Sequence, residues 1–142
     1  MPRRGSRFVL DNNLIIAAVK SGWTKSTDLL MTVLLSDAEL FVNDELLLEY
    51  KRYIHRVLGV YHLYLLISNR AQNINPSQQN LEACRPFFPE SQYADTVHAA
   101  TCLEAGATIV TNDAHFKKIQ EAGLIEVWSI SKAIREILDN GK

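Results

Sequence analysis

Residues 107–116 read ATIVTNDAHF: a β-branched apolar run, Thr108–Thr111, halted by Asn112 and resuming as a helix-compatible segment, Asp113–Glu121. Upstream, Gly106 closes a helical segment over Gln92–Ala105, where a left-handed cap belongs. Downstream, Ile125–Trp128 reads as a further strand and Ile130–Leu138 as a closing helix. Helices alternating with strands in this way are the pattern of a parallel sheet with helical crossovers.

The alternation runs back to the start of the chain. Arg7–Leu10 is a short strand ending at Asp11, followed by helices over Ile15–Lys20 and Lys25–Leu35. Glu39–Val42 is a second strand; Asn43 or Asp44 then caps a long helix to Leu58, and Val60–Arg70 forms the next. Gly22, Gly59, Gly123 and Gly141 each follow a helix-compatible segment, as Gly106 does. Residues 71–91 carry three of the four prolines with several Asn, Gln and Ser, and read as a loop with a brief extended piece near Leu81–Cys84. The expected architecture is a single α/β domain over 1–142, three layers (α/β/α) around a mostly parallel central sheet. Ligands bind such sheets beyond the carboxyl ends of the strands, so the residues just after each strand carry the chemistry.

Composition sets bounds on that chemistry. With 47% hydrophobic and 22% charged residues, the 142-residue chain is not a disordered one. Fifteen Lys and Arg against sixteen Asp and Glu give a net charge of −1, which neither advertises nor excludes a nucleic-acid partner. Cys84 and Cys102 stand apart with no ligand-like spacing, which argues against a disulfide scaffold or zinc finger and for two reduced thiols in a cytoplasmic protein. The basic start MPRRGSR is followed by an apolar stretch broken at Asp11, Asn12 and Asn13, a poor signal peptide. No uncharged apolar run approaches bilayer length, so no membrane association is expected.

Four acids fall at telling places. Asp11 directly follows the first strand, and Asp113 follows Thr108–Thr111 with only Asn112 between. Each alone is a helix N-cap; on parallel neighbouring strands, both would emerge at one sheet edge. At about 100° per residue, Asp95 aligns with Ala99 and Cys102 on the inward face of its helix. Its place in the first turn explains why an anion is accepted there, but not why it turns toward the sheet. Glu49 lies just off the apolar stripe of Leu46, Tyr50 and Ile54; alone it is a boundary glutamate beside Arg52 and Tyr53. Converging carboxylates repel and partly protonate unless a cation neutralises them. Oxygen-only clusters suit Mg²⁺ and Mn²⁺. Two such ions about 3.5–4 Å apart clamp a phosphodiester, one activating water and the other stabilising the leaving oxygen.

Four stretches, FVLDNNLI at 8–15, NDELLLEYKRYI at 43–54, ADTVHAA at 94–100 and ATIVTNDAHF at 107–116, together resemble the PIN domain. That is the fold of many small metal-dependent ribonucleases, including the VapC-type toxins of toxin–antitoxin pairs. The resemblance implies that Asp11, Glu49, Asp95 and Asp113 are the catalytic, metal-binding quartet, supported by Asn13, Thr111 and Asn112. It departs from the family at Asn12, where Thr or Ser often follows the first Asp. It implies an endoribonuclease with one or two Mg²⁺ or Mn²⁺ ions, hydrolysing RNA by metal-activated water to leave a 5′-phosphate and a 3′-hydroxyl. A homodimer and a protein antitoxin are the further partners it implies.

RNA must be held near the acidic centre by cations. The candidates are Lys51, Arg52 and Arg56 on the Glu49 helix and Lys117 after Asp113, with His55, Lys118 and Lys25 besides. Each taken singly is also an ordinary solvated residue. His98 and His115 follow Asp95 and Asp113 by three and two positions and read first as packed or surface histidines, and secondly as metal ligands or phosphate contacts. Tyr61, Tyr64, Leu65 and Leu66, with Trp23 and the leucines of 29–35, read most simply as core, and secondly as a dimer or antitoxin surface. Two divalent ions would turn the formal −1 into a net positive charge, so near-neutrality does not oppose an RNA substrate. Three readings compete with the toxin: an RNA-processing PIN nuclease, a non-catalytic PIN-like module binding RNA or protein, and a phosphotransfer enzyme with Asp11 as nucleophile. The last lacks the second Asp usual two residues on, where Asn13 stands.

Overall fold

The computed structural model describes residues 6–55 and 61–139. Arg56, Val57, Leu58, Gly59 and Gly141 therefore lie outside the described residues. The elements run β1 (Arg7–Leu10), α1 (Asn12–Val19), α2 (Lys25–Leu34), β2 (Glu39–Val42), α3 (Asp44–Ile54), α4 (Tyr61–Arg70) and β3 (Ala71–Asn73). They continue as α5 (Gln78–Cys84), α6 (Tyr93–Ala105), β4 (Thr108–Val110), α7 (Lys117–Glu121), β5 (Glu126–Trp128) and α8 (Ile130–Ala133), which passes into a π-helix over Ile134–Asp139.

The five strands form one sheet in the order β3-β2-β1-β4-β5. Every pairing is parallel, with Phe8 opposite Leu40 on one side of β1 and Leu10 opposite Val110 on the other. Phe8, Val9, Leu10, Ile109 and Val110 are all buried, as continuous apolar strands in the middle of a covered parallel sheet must be. The chain steps outward from β1 to β2 and β3, then returns past β1 to β4 and β5. The crevice beyond the carboxyl ends of β1 and β4 is therefore the topological switch point, where doubly wound sheets bind ligands.

α6 lies against β1, β2 and β4. Ala99, Ala100, Thr101 and Cys102 are buried on it, and small side chains of this kind let a helix approach a sheet closely. Gly106 ends it at φ 62°, in the left-handed conformation, with its N–H bonded to the carbonyl of Cys102. The C-terminus of α2 is satisfied from far away in sequence: Arg70 donates to the carbonyls of Leu34 at 2.8 Å, Ser36 at 3.1 Å and Ala38 at 3.0 Å.

Three expectations need correction. Residues 71–91 are not a loop. They contain the edge strand β3, the helix α5 and two 3₁₀ turns, Arg85–Phe87 and Glu90–Gln92, so Leu81–Cys84 is helical and not extended. Ser77 caps α5 by accepting the Asn80 N–H at 3.2 Å, and Glu104 of α6 accepts from both Ser77 N–H and the Asn80 side chain at 2.9 Å. A polar segment is thus ordered by the helix beside it, which its own composition did not advertise. Secondly, α4 is core only in part: Ile67 is buried and Leu63 and Tyr64 pack against the core, while Tyr61, Leu65 and Leu66 are exposed. Trp23 and Leu35 are exposed as well, at 71% and 73%. Thirdly, the segment after Asp113 is not one helix but a 3₁₀ turn, Ala114–Phe116, leading into α7. No helix among the described residues is long and apolar enough to cross a membrane.

Candidate metal centre

Asp11 leaves β1 where its backbone N–H still bonds to Val110 of the neighbouring strand, at 3.1 Å. Its side chain caps α1, Oδ1 accepting the Asn12 N–H at 2.8 Å. The other oxygen accepts the Thr111 hydroxyl at 2.6 Å and the Asn13 amide at 3.3 Å. Asn13 also donates to Thr111 Oγ1 at 3.1 Å, and that oxygen in turn accepts the Asp113 N–H at 3.0 Å. Thr111 and Asn13 thereby tie the first acid to the strand end that carries the last. Asn112 points away from this exchange: its Oδ1 accepts the Ile130 N–H at 2.9 Å and anchors the start of α8. Buried Tyr50, on α3, donates its hydroxyl to the Leu10 carbonyl and holds the end of β1 from the other side.

The carboxylates gather as two groups whose ligand atoms lie within 4.8 Å of one another: Asp11 with Glu49 and His98, and Asp95 with Asp113 and His115. His115 Nδ1 stands 3.2 Å from Asp95 Oδ2 and 3.1 Å from Asp113 Oδ1, bridging the second group. The two groups feel each other. Burial, and then the charges of Asp113 and Asp11, push the pKa of Asp95 up to about 6, against the opposing influence of the two histidines. Burial also raises Asp11, although the Thr111 hydrogen bond works the other way. Four carboxylates in two adjoining groups, two of them, Asp11 and Asp95, pressed to keep a proton, are a donor set that a divalent cation would relieve, and one with the oxygen chemistry of Mg²⁺ or Mn²⁺.

The sequence reads His98 as a packed histidine and Asn43 as a helix cap, and both are so, but their link to each other and to Glu49 is what sequence reasoning missed. His98 is 1% exposed, and its Nε2 lies 2.7 Å from Glu49 Oε2. Asn43, fully buried, caps α3 by accepting the Leu46 N–H on Oδ1 at 2.8 Å, which fixes its amide orientation. Its –NH₂ then faces Thr101 Oγ1 at 2.9 Å and His98 Nδ1 at 3.1 Å. Nδ1 can only accept from that group, so the ring proton sits on Nε2 and is donated to Glu49. Burial opposes a charge on this ring, but the hydrogen bond and charge of Glu49, with Asp11 and Asp95, outweigh it and raise its pKa. The Asn43 amide resists the second proton. Both ring nitrogens are engaged, so His98 orients Glu49. The signal in the sequence was the three-residue step from Asp95 to His98 to Thr101, polar groups on a face otherwise built of alanine and cysteine.

Of the proposed cations, Lys117 lines a cleft beside Asp113. Lys51 and Arg52 are exposed on α3, and Arg56 is outside the described residues. Cys84 and Cys102 are free and buried, and burial pushes the Cys84 thiol up to about 11.

A family model described as PIN domain matches residues 8–122. Comparison with curated protein sequences finds no match. Among solved structures, FitAcB from Neisseria gonorrhoeae is similar, with a TM-score of 0.62 at 19% identity over 87% of this chain and 98% of that one. VapBC2 from Rickettsia felis, solved bound to a DNA fragment from its promoter, gives a TM-score of 0.58 at 14% identity over 87% and 98%. VapBC-1 from nontypeable Haemophilus influenzae gives 0.56 at 17% over 89% and 99%.

Proposed function

The chain belongs to the PIN domain family, and on that premise we propose that it is a cytoplasmic endoribonuclease dependent on Mg²⁺ or Mn²⁺, acting as the toxin of a toxin–antitoxin pair. The observation that carries this reading is the pairing of Asp11 with Glu49 and of Asp95 with Asp113 at the β1/β4 switch point. When bound, one or two divalent ions supply an acidified water and neutralise charge on the phosphodiester. Asp11 and Glu49 would hold one ion, Asp95 and Asp113 a second, with Thr111, Asn13 and His98 fixing the carboxylates. Likeness to the VapBC and FitAcB structures supports an antitoxin partner. The exposed Tyr61, Leu65 and Leu66 of α4 offer it, or a second copy of the chain, an apolar surface.

The test is cleavage of single-stranded RNA by the purified protein with Mn²⁺. Activity should vanish with EDTA, return with added ion, and fall by at least about 10²-fold in Asp11→Asn and Asp113→Asn, with Mn²⁺ binding weakened in both. RNA bound without metal and unaffected by these substitutions, with no cleavage, would instead identify a non-catalytic module. A phosphoryl adduct on Asp11 would point to phosphotransfer.

A further inference from the structure

A cleft of about 310 Å³ opens between the carboxyl ends of β4 and β5, one strand beyond the switch point. Thr111, Asn112 and Asp113 form the wall it shares with the acidic centre. Lys117 and Gln120 line one side, Ser129, Lys132 and Arg135 the other. Its frame is braced: Asn112 Oδ1 accepts the Ile130 N–H at 2.9 Å, Gln120 donates to the Val127 carbonyl at 3.2 Å, and Ser129 caps α8 by accepting the Lys132 N–H at 3.0 Å. Lys132 is half-buried, its ammonium 5.8 Å from the centroid of the Trp128 ring.

Three cations surround this cleft, and among the described residues none of them is in an ion pair with a carboxylate. Converging positive charge left unneutralised, with an amide and a hydroxyl among the same walls, is complementary to an anion with several acceptor oxygens. The volume suits one nucleotide rather than a folded partner. Its aromatic lining residue, Phe116, is fully buried and offers no face for a base to stack on. Recognition here is therefore of the backbone, not of base identity.

We propose that this cleft binds a phosphate of the RNA strand next to the one being cut, so that Lys117, Lys132 and Arg135 hold the strand while the carboxylates act on its neighbour. The inference rests on the ribonuclease reading and joins Lys117 to two residues, Lys132 and Arg135, that the sequence reading did not name. It makes them binding residues that act equally on ground and transition states, which sets KM rather than kcat.

Steady-state cleavage of single-stranded oligoribonucleotides by the full chain with Mn²⁺, over a series of salt concentrations, tests it. The triple variant Lys117→Ala, Lys132→Ala, Arg135→Ala should raise KM roughly ten-fold and leave kcat within about two-fold. The slope of log KM against log salt should fall by about 0.7, the value for one phosphate of a single strand that is no longer neutralised. The loss should be the same for RNAs of different sequence. Lys117→Ala and Arg135→Ala singly, both at exposed positions, each take a share of that slope, and Lys20→Ala, at the far end of α1, takes none. Charge-preserving exchanges, Lys117→Arg with Lys132→Arg and Arg135→Lys, keep the slope and so separate charge from packing. Wild-type protein that cuts RNA with a salt slope unchanged in the triple variant overturns the cleft assignment and leaves the ribonuclease standing. Wild-type protein that cuts no RNA overturns both.

Discussion

Asp95 is under pressure from three directions: burial, Asp113 and Asp11. In metal-free protein its folded pKa of about 6 lies above the ordinary aspartate value, so the native state keeps a proton that the unfolded chain releases. The stability this contributes is fully present below about pH 4 and is lost as pH rises through about 6, an effect on the order of 3 kcal/mol. Asp11, raised by the same burial, adds in the same direction. Denaturant unfolding of EDTA-treated protein between pH 4 and 7 should show stability falling as pH rises, and Asp95→Asn should flatten the curve. His98 acts on its neighbour rather than directly. His98→Ala should weaken Mn²⁺ affinity about 10–100-fold by calorimetry, because Glu49 loses the donor that aims it. His98→Gln, whose amide can donate to the same carboxylate, should recover part of that affinity. An affinity equal to wild type in His98→Ala would leave the histidine a packing residue only.

At the scale of elements, the site depends on where strands and helices stop. Gly106 must turn left-handed so that β4 can start beside β1, and a side chain at φ 62° is strained. Gly106→Ala should therefore destabilise the protein by about 1 kcal/mol, read as a lower denaturant midpoint with unchanged slope. The neighbouring α5 rests on its cap: Ser77→Ala removes the acceptor for the Asn80 N–H and should cost about 1 kcal/mol. α4 carries a different consequence. With Tyr61, Leu65 and Leu66 exposed, Leu65→Lys with Leu66→Lys should leave thermal stability nearly unchanged. If a second copy covers this face, the same pair should shift sedimentation from dimer to monomer.

For the molecule as a whole, the proposed site links ligand binding to folding. A divalent ion held, as proposed, by the acids that follow β1 and β4 and those on α3 and α6 would bind only the assembled fold, so saturating Mn²⁺ should raise the melting temperature, and Asp11→Asn should abolish the rise. Much of this architecture was legible from the chain alone. β1, β2, β4 and β5 are apolar runs bounded by polar residues, and the positive φ of Gly22, Gly106 and Gly123 matches their places after helices. Asp11 and Asp113 were legible as strand-end acids, because a residue that follows a parallel strand must emerge at the carboxyl edge. β3 and α5 were not legible: Gln72 and Asn73 are exposed and polar, and their strand exists only because β2 offers a free edge for backbone pairing. Nor were the exchanges that orient the acids, since Asn43 and His98 are 55 positions apart and Thr111 and Asp11 are 100 apart.

The sequence by itself thus determined a parallel α/β sheet and the acids that stand at its edge, because periodicity and strand ends are local properties of the chain. Only the tertiary structure decided which acids pair, that His98 is turned to Glu49 by an asparagine on another helix, and that Lys132 and Arg135 join Lys117 around one cleft. Those facts depend on distances between segments remote in sequence. Such distances are set by the strand order and by the packing of α3, α6 and α8, which no local pattern encodes.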